Sequence, residues 1–221
     1  MESEAIFEGP ARITLTMDTL SEHFTSSASR YSSDNSLVES LHNEIISRHS
    51  VSGRYYHTLT HLDYLIKALL PMKERFTNWD AIVFATAYHD IVYHPIRKDN
   101  EERSSAFAAK ALSKLGVDEL LIKRCQELIL ATKTHTASDD ETNFFTDADL
   151  GILGAKPSAY DEYANNVRKE YRMIPEILYN PGRKKVLQHF LGMDSIFKTS
   201  EFREQFEDQA RKNILRELET Y

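Results

Sequence analysis

The sequence predicts an all-α fold, and three observations support that prediction. Seven glycines and six prolines are few for a chain of 221 residues. Apolar residues recur three and four positions apart through most of the chain, as they do on the buried face of a helix. No convincing alternation of apolar and polar residues, as in a half-buried strand, appears. We therefore expect a single-domain helical bundle over residues 37–221, preceded by an N-terminal extension at residues 1–36 that is part helix and part loop.

Three helices are predicted in the first half of this domain. Ser36 is the predicted N-cap of the first, whose apolar residues recur at helical spacing in LVESLHNEII. The second contains LTHLDYLIKAL and stops near Pro71, because proline breaks the helical hydrogen-bond pattern. The third covers residues 79–92, which are apolar nearly all round and follow a plausible cap, Asn78. We expect this third helix to be the central one.

The second half continues the helical pattern. NEERSSAFAAKALSKLG begins with acids in its first turn and ends on Gly116, as a helix with a C-terminal glycine does. Asp118 is the predicted cap of the next helix, and the polar TASDDETN after that helix indicates a connecting loop. Three further helical segments are SAYDEYANNVRKEY, RKKVLQHFLGM and SEFREQFEDQARKNILRELET.

Composition and charge argue against several classes of function. The net charge of −7 opposes non-specific binding to nucleic acids, although a local basic pocket for a small phosphate ester is compatible with it. No apolar run approaches the roughly 20 residues of a membrane-spanning helix, and the N-terminus lacks the pattern of a secretory signal. The single cysteine, Cys125, cannot form an internal disulfide. We expect a cytoplasmic protein that binds neither nucleic acid nor membranes.

Histidines and aspartates occur as pairs in three short motifs, YHTLTH, YHDIVY and FFTDADLGILG. The pairs are His57 with His61, His89 with Asp90, and Asp147 with Asp149. The first pair would share one helical face if the helix included both residues. The other two pairs lie in apolar surroundings, where ionisable side chains need hydrogen-bond partners or a metal ion. Taken one at a time, the motifs leave both interpretations open.

The order of these residues resembles the HD-domain superfamily of metal-dependent phosphohydrolases, in which a histidine, a His-Asp pair and a distant aspartate lie on helices. His61, His89, Asp90 and Asp149 match that order. The resemblance implies that these four residues bind a metal ion in an all-α fold of the HD-domain and phosphodiesterase type.

Two details of the motifs refine this resemblance. YHTLTHLDYL is similar to a tyrosine-histidine segment of the cyclic nucleotide phosphodiesterases, which implies that His57 donates a proton and that His61 binds metal. The phrase ADL is shared with the same enzymes and favours Asp149 as the fourth ligand. Asp147 stays an alternative for that position.

A more specific resemblance covers the chain from about Arg54 to the C-terminus. YHTLTH, AYHDIVY, DNEERSSA, TKTH and FTDADLGILG together resemble a bacterial and fungal group of predicted HD-superfamily phosphohydrolases with no firmly assigned substrate. The expected activity is metal-dependent hydrolysis of a small phosphorylated metabolite or nucleotide by a phosphomonoesterase or nucleotidase. The alternatives are a phosphodiesterase acting on a nucleotide and a non-catalytic nucleotide-binding regulatory protein.

The ligand types narrow the choice of metal. Two imidazoles and two carboxylates without a thiolate suit a divalent ion such as Mn, Fe, Co, Ni or Mg, with Zn also allowed. Such an ion lowers the pKa of a coordinated water and offsets charge on a phosphoryl group. We expect one ion, with a second ion and a homodimer as open alternatives.

Further residues near the motifs have predicted roles in catalysis or substrate binding. His57, one turn from a ligand, is the candidate general acid, because histidine titrates near neutral pH. Asp147 or Glu101 could orient the attacking water. Arg54, Lys133 and His135 are candidates for binding the phosphate ester, and His135 is also the one plausible extra metal ligand in its region. The expected partner is therefore a small-molecule phosphate ester.

Overall fold

The computed structural model describes residues 19–221. Over these residues the chain forms α-helices and two short 3-10 helices without a β-strand, which confirms the all-α prediction. The α-helices are α1 (Thr19–Ala28), α2 (Asn35–His49), α3 (Leu59–Leu69), α4 (Trp79–Tyr88), α5 (Asn100–Leu115), α6 (Glu119–Ala131), α7 (Asp140–Leu150), α8 (Pro157–Glu170), α9 (Glu176–Leu191) and α10 (Ser200–Leu218). The 3-10 helices are Leu70–Arg75 and Gly151–Gly154. Residues 1–18 of the predicted N-terminal extension lie outside the described residues.

Side-chain caps decide where several helices begin. Asn78 is the cap of α4 as predicted, because its side-chain oxygen accepts from two backbone N–H groups of the first turn. The prediction of Ser36 as the cap of α2 is wrong. That helix begins at Asn35, because the Asp34 carboxylate accepts from the backbone N–H of Leu37.

The polar loop predicted around TASDDETN is shorter than expected, because α7 already begins at Asp140. The carboxylate of Asp139 accepts from the backbone N–H of Thr142 at 3.0 Å and from its hydroxyl at 2.6 Å. Asp140 and Glu141 then place negative charge in the first turn, where the helix dipole favours it. Asp149 consequently lies in the last turn of a helix.

The described residues form two compact units, 19–149 and 150–221. The first is built around α4, all of whose residues are buried and which packs against α1, α3, α5 and α6. The buried carboxylate of Asp80 on α4 accepts from Ser27 Oγ at 2.7 Å, Arg30 Nη1 at 2.8 Å and Tyr31 OH at 2.9 Å. These bonds fix α1, which belongs to the predicted extension, to the core of this unit.

The second unit packs α8, α9, α10 and the 3-10 helix Gly151–Gly154. A Cβ added at Gly154 would lie 2.5 Å from Phe206 Cβ on α10, so this close approach requires glycine. Asn213 on α10 donates to the carbonyls on either side of Gly154, at 2.9 and 2.8 Å. Arg183 on α9 also binds Glu217 on α10 through Nε at 2.8 Å and Nη2 at 2.9 Å, and both side chains are buried.

Candidate metal centre

Four side chains from three separate segments of the first unit meet at the ends of α3, α4 and α7. They are His61, His89, Asp90 and Asp149. His61 lies in the first turn of α3, His89 and Asp90 directly follow α4, and Asp149 lies in the last turn of α7. The structure thus brings together the residues that the sequence pattern predicts as metal ligands.

The donor atoms of this cluster are closely spaced. His61 Nε2 lies 3.1 Å from His89 Nε2 and 3.2 Å from Asp149 Oδ1. His89 Nε2 lies 3.1 Å from Asp90 Oδ2 and 3.7 Å from Asp149 Oδ1. His61 Nε2 lies 3.8 Å from Asp90 Oδ2. The two imidazoles are buried, whereas the two carboxylates keep 18% and 15% of their surface exposed, so the cluster is open to solvent on its carboxylate side.

These spacings fit a shared divalent ion. An ion bonded at about 2.1 Å to nitrogen or oxygen holds neighbouring ligand atoms about 3.0 Å apart at a right angle and about 3.4 Å apart at a tetrahedral angle. The observed separations of 3.1 to 3.8 Å fall close to those values. The group of His61, His89 and Asp90 could hold a metal ion, since its donor atoms all lie within 4.8 Å of one another.

The end of α4 determines where two of these ligands lie. The helix was expected to continue to residue 92, but it ends at Tyr88, and His89 caps it. The C-terminus of a helix carries partial negative charge, which favours a cation. Both α4 and α7 end at the cluster, because Asp149 lies one residue before the end of α7. The negatively charged ends of the two helices and the two carboxylates therefore all favour a cation at the cluster.

A backbone contact fixes the tautomer of His89. Its Nδ1 lies 3.0 Å from the carbonyl oxygen of Thr86, an acceptor, so Nδ1 carries a hydrogen and donates it. In the neutral ring this leaves the lone pair on Nε2, the atom that faces the cluster. Metal-binding histidines commonly use their second nitrogen in this way, because the contact holds the ring in a fixed orientation.

The charges of the cluster shift the pKa values of its members. Burial alone lowers the pKa of His89, but the carboxylates of Asp90 and Asp149 outweigh burial and raise it to about 9. Burial acts to raise the pKa of Asp90, and the imidazoles of His89 and His57 hold it well below its usual range. Burial likewise opposes the shift at Asp149, and hydrogen bonds from two neighbouring histidines lower its pKa. The site thus favours positive charge strongly.

His57, the predicted proton donor, lies beside the cluster but not on α3. That helix begins at Leu59, so His57 and His61 do not share a helix. Their ring centroids are nevertheless 6.0 Å apart. The ring of Tyr93 stacks on His57 at 4.0 Å with an interplanar angle of 28°, which the sequence alone did not suggest. The aromatic contact holds the imidazole at the edge of the cluster.

Arg54, predicted to bind phosphate, joins two backbone segments in this structure. Its Nη1 donates to His57 O at 3.1 Å and to Asp90 O at 2.8 Å, and its Nη2 donates to Ile91 O at 3.2 Å. Both N–H groups of Nη1 are therefore used for backbone carbonyls. The observed role of Arg54 is to position the two motifs, and phosphate binding stays a prediction.

The choice between Asp147 and Asp149 follows from the geometry of α7. Residues two positions apart on a helix point about 160° apart around its axis. The carboxylate of Asp149 contacts His61 and His89, and Asp147 is fully buried. A role for Asp147 in orienting water stays a prediction.

Glu101 lies at the start of α5, and Lys133 follows the end of α6. Lys133 is exposed, donates to the Lys98 carbonyl at 2.8 Å and pairs with Glu102. Glu101 lies in the first turn of α5 and acts electrostatically on Lys133. Neither residue has a hydrogen bond or ion pair to the cluster within the part of the chain that the structure describes. Their predicted roles stay predictions.

His135, the predicted substrate-binding residue, contacts the cluster through Asp149. Its Nε2 lies 3.0 Å from Asp149 Oδ2, the oxygen opposite the one that contacts His61. The sequence motif TKTH suggested an extra histidine here but did not indicate which residue it contacts. The partner became apparent only from the fold.

Comparison with protein-family models found no match. Comparison with curated proteins and with solved structures also found none. Among residues 19–221, no helix is both long enough and apolar enough to cross a membrane. The geometry of the cluster is therefore the basis for any functional conclusion.

Proposed function

We propose that this chain is a metal-dependent phosphohydrolase of the HD type that acts on a small phosphate ester. One observation carries the proposal: His61, His89, Asp90 and Asp149 come from distant parts of the sequence, in the order that the motif requires. Nε2 of each histidine lies 3.1 to 3.8 Å from that of the other histidine and from one oxygen of each carboxylate. An arrangement of two imidazoles and two carboxylates around one point has an obvious use in holding a divalent ion.

The bound ion would supply Lewis acidity, which acidifies water and offsets charge on a phosphoryl group. The protein residues set the conditions for that chemistry. The Thr86 carbonyl fixes the tautomer of His89, and Arg54 holds the backbone of His57 and Asp90 in register. Because His61 and His89 are buried, a substrate would approach from the carboxylate side.

His57 is the proposed proton donor to the leaving alkoxide. Its position beside His61, without being a member of the four-ligand cluster, is suited to this role. Stacking on Tyr93 limits the motion of the ring, which reduces the entropic cost of proton transfer. A phosphomonoester is the preferred substrate class, and the resemblance of YHTLTHLDYL to phosphodiesterases makes a diester the alternative to be tested.

The test begins with the metal-free protein and measures binding of Mn²⁺, Fe²⁺, Co²⁺, Ni²⁺, Mg²⁺ and Zn²⁺ separately by calorimetry. Each loaded protein is then assayed with p-nitrophenyl phosphate, bis-p-nitrophenyl phosphate and a nucleotide panel. We expect stoichiometric binding of at least one ion and metal-dependent release of product. Hydrolysis of bis-p-nitrophenyl phosphate alone would favour the diesterase.

Asp90→Ala serves as the site variant, and Asp208→Ala, an exposed aspartate on α10, serves as the matched control. We expect Asp90→Ala to lose both metal and activity while Asp208→Ala keeps both. Equal metal content and equal activity in the parent and Asp90→Ala would contradict the site. Metal binding without turnover of any substrate would favour a non-catalytic binding protein.

A further inference from the structure

The backbone of His135 lies in the left-handed region, which few residues other than glycine enter. Its φ is +50°, and no other non-glycine residue in the range 19–221 has a positive φ. A residue with a Cβ is less favoured in this left-handed region than glycine, and histidine, asparagine and aspartate are the residues other than glycine that enter it most often. The backbone N–H of His135 donates to Ala131 O at 3.0 Å, so the residue lies at the turn that ends α6.

The preceding helix shows how the same chain ends a helix without this strain. Gly116 follows α5 with a φ of +81°, and its N–H donates to carbonyls in the last turn. Glycine is the usual residue at such a position. A histidine at 135 therefore keeps a conformational cost that glycine would remove, and strain of this kind persists where the side chain has a task.

That side chain reaches the metal cluster. His135 Nε2 lies 3.0 Å from Asp149 Oδ2, and both side chains are 15% exposed, so the contact is largely sheltered from water. The other oxygen of the same carboxylate, Oδ1, lies 3.2 Å from His61 Nε2 and 3.7 Å from His89 Nε2. One oxygen of Asp149 is thus held by His135, and the other faces the ion site.

We propose that His135 is a positioning residue that orients the Asp149 carboxylate toward the ion site before a cation arrives. The proposal rests on the metal centre described under Proposed function. A carboxylate that is already oriented loses less freedom when it binds an ion, and partners of metal ligands commonly change affinity by about 10- to 100-fold. The left-handed backbone at His135 is the cost of that orientation.

His135→Asn separates the effect of the left-handed backbone from the effect of the contact with Asp149. Asparagine tolerates a left-handed backbone, but its side chain is too short to reach Asp149 in the same way. We expect the metal-free variant to unfold at the same temperature as the parent or higher, and its dissociation constant for Mn²⁺, measured by calorimetry, to rise about 10- to 100-fold. His135→Gly should change the unfolding temperature and the dissociation constant in the same directions. His189→Asn, at an exposed histidine on α9, is the matched control and should leave both quantities unchanged.

A spectrum distinguishes a positioning residue from a direct ligand. At saturating Co²⁺ the visible absorption of His135→Asn should match that of the parent, because the set of ligands is unchanged. A shifted spectrum would place the imidazole of His135 in the ligand set and overturn the proposal.

The remaining outcomes are also decisive. Unchanged Mn²⁺ affinity in His135→Asn overturns the positioning role, and a lower unfolding temperature with unchanged affinity identifies the contact as purely structural. If the parent itself binds no ion in the calorimeter, the proposed metal centre is wrong. If the parent binds an ion and His135→Asn binds it equally well, the metal centre stands and only the positioning role of His135 is wrong.

Discussion

The guanidinium of Arg54 donates to the backbone oxygen of Asp90 at 2.8 Å, and thereby connects the segment before α3 to the turn after α4. The same side chain also donates to His57 O and Ile91 O. Two motifs separated by more than thirty residues are held together at the backbone, independently of the side chains that face the ion site.

Arg54→Lys should weaken both the fold and the metal site, because an ammonium group cannot span three carbonyls as the planar guanidinium does. We expect the free energy of unfolding to fall by about 1.5–3 kcal/mol, the range for hydrogen bonds to a charged group. Urea denaturation of the metal-free protein measures the first effect, and calorimetry with Mn²⁺ measures the second. Arg97→Lys, at an exposed arginine, is the control. Equal stability of Arg54→Lys and the parent would show that the carbonyl contacts are dispensable.

The two aspartates of α7 should differ in their effect on metal binding. Asp149→Asn removes a charged ligand and should weaken Mn²⁺ binding by roughly 100-fold or more. Asp147→Asn should retain the parent affinity, since this side chain points to a different side of α7, even if the unfolding temperature changes. Calorimetry on both variants provides the comparison. A larger loss of affinity in Asp147→Asn would reverse the ligand assignment.

Glu207 should make the second unit sensitive to acid. Its carboxylate accepts from the backbone N–H groups of Ile196 and Phe197 and from Arg211 Nε. Burial opposes the shift, but these contacts lower its pKa below the usual value of 4.5. A carboxyl with a lowered pKa in the folded state adds stability above its unfolded pKa, and that stability is lost as pH falls through the folded value.

Glu207→Gln should therefore unfold more easily than the parent at pH 7, by about 1–2 kcal/mol for the loss of charged hydrogen bonds. The difference should shrink as the pH falls below about 4.5, because protonation removes the same charge from the parent. Urea denaturation between pH 3 and pH 7 measures it. Glu204→Gln, at an exposed position on the same helix, is the matched control. A constant difference at every pH would contradict the assignment.

Gly154→Ala should destabilise the second unit. The new Cβ would lie 2.5 Å from Phe206 Cβ and 2.7 Å from Phe206 O, so the 3-10 helix and α10 must move apart. The expected loss is about 1–3 kcal/mol. Gly182→Ala is the matched control, because a Cβ there meets no atom within 4 Å and the glycine lies inside α9, where alanine is the better helix former. Thermal unfolding of both variants should give shifts of opposite sign.

The sequence indicates the helices because they depend on local pattern, and it indicates the four candidate ligands because their order resembles that of the HD-domain superfamily. The spacing of apolar residues predicts α4 and its cap at Asn78, and the HD motif predicts His89 and Asp90 together. The end of α4 at Tyr88 was not predicted, because the apolar run continues through Ile91 and Val92 while the helix does not. A run of apolar residues indicates that a segment is buried, but it does not show whether that segment is a helix or a turn.

Contacts between distant segments could not be derived from local pattern. Arg54 was assigned to phosphate because nothing in the sequence indicates that its guanidinium meets the carbonyls beyond His89. The division of the chain after Asp149 and the contact between His135 and Asp149 likewise depend on how the helices pack. The left-handed backbone at His135 has no marker in the sequence, since glycine is the residue that usually reveals one.

The complete burial of α4 means that two proposed ligands are attached to the least compressible part of their unit. A change in side-chain volume about one to two turns away, for example at Phe84 or Ile82, would pass along the rigid helix and displace His89 and Asp90 together. Substitutions that never touch the ion would then alter its binding, and selection for tight metal binding would act on the packing of this helix as strongly as on the ligands themselves.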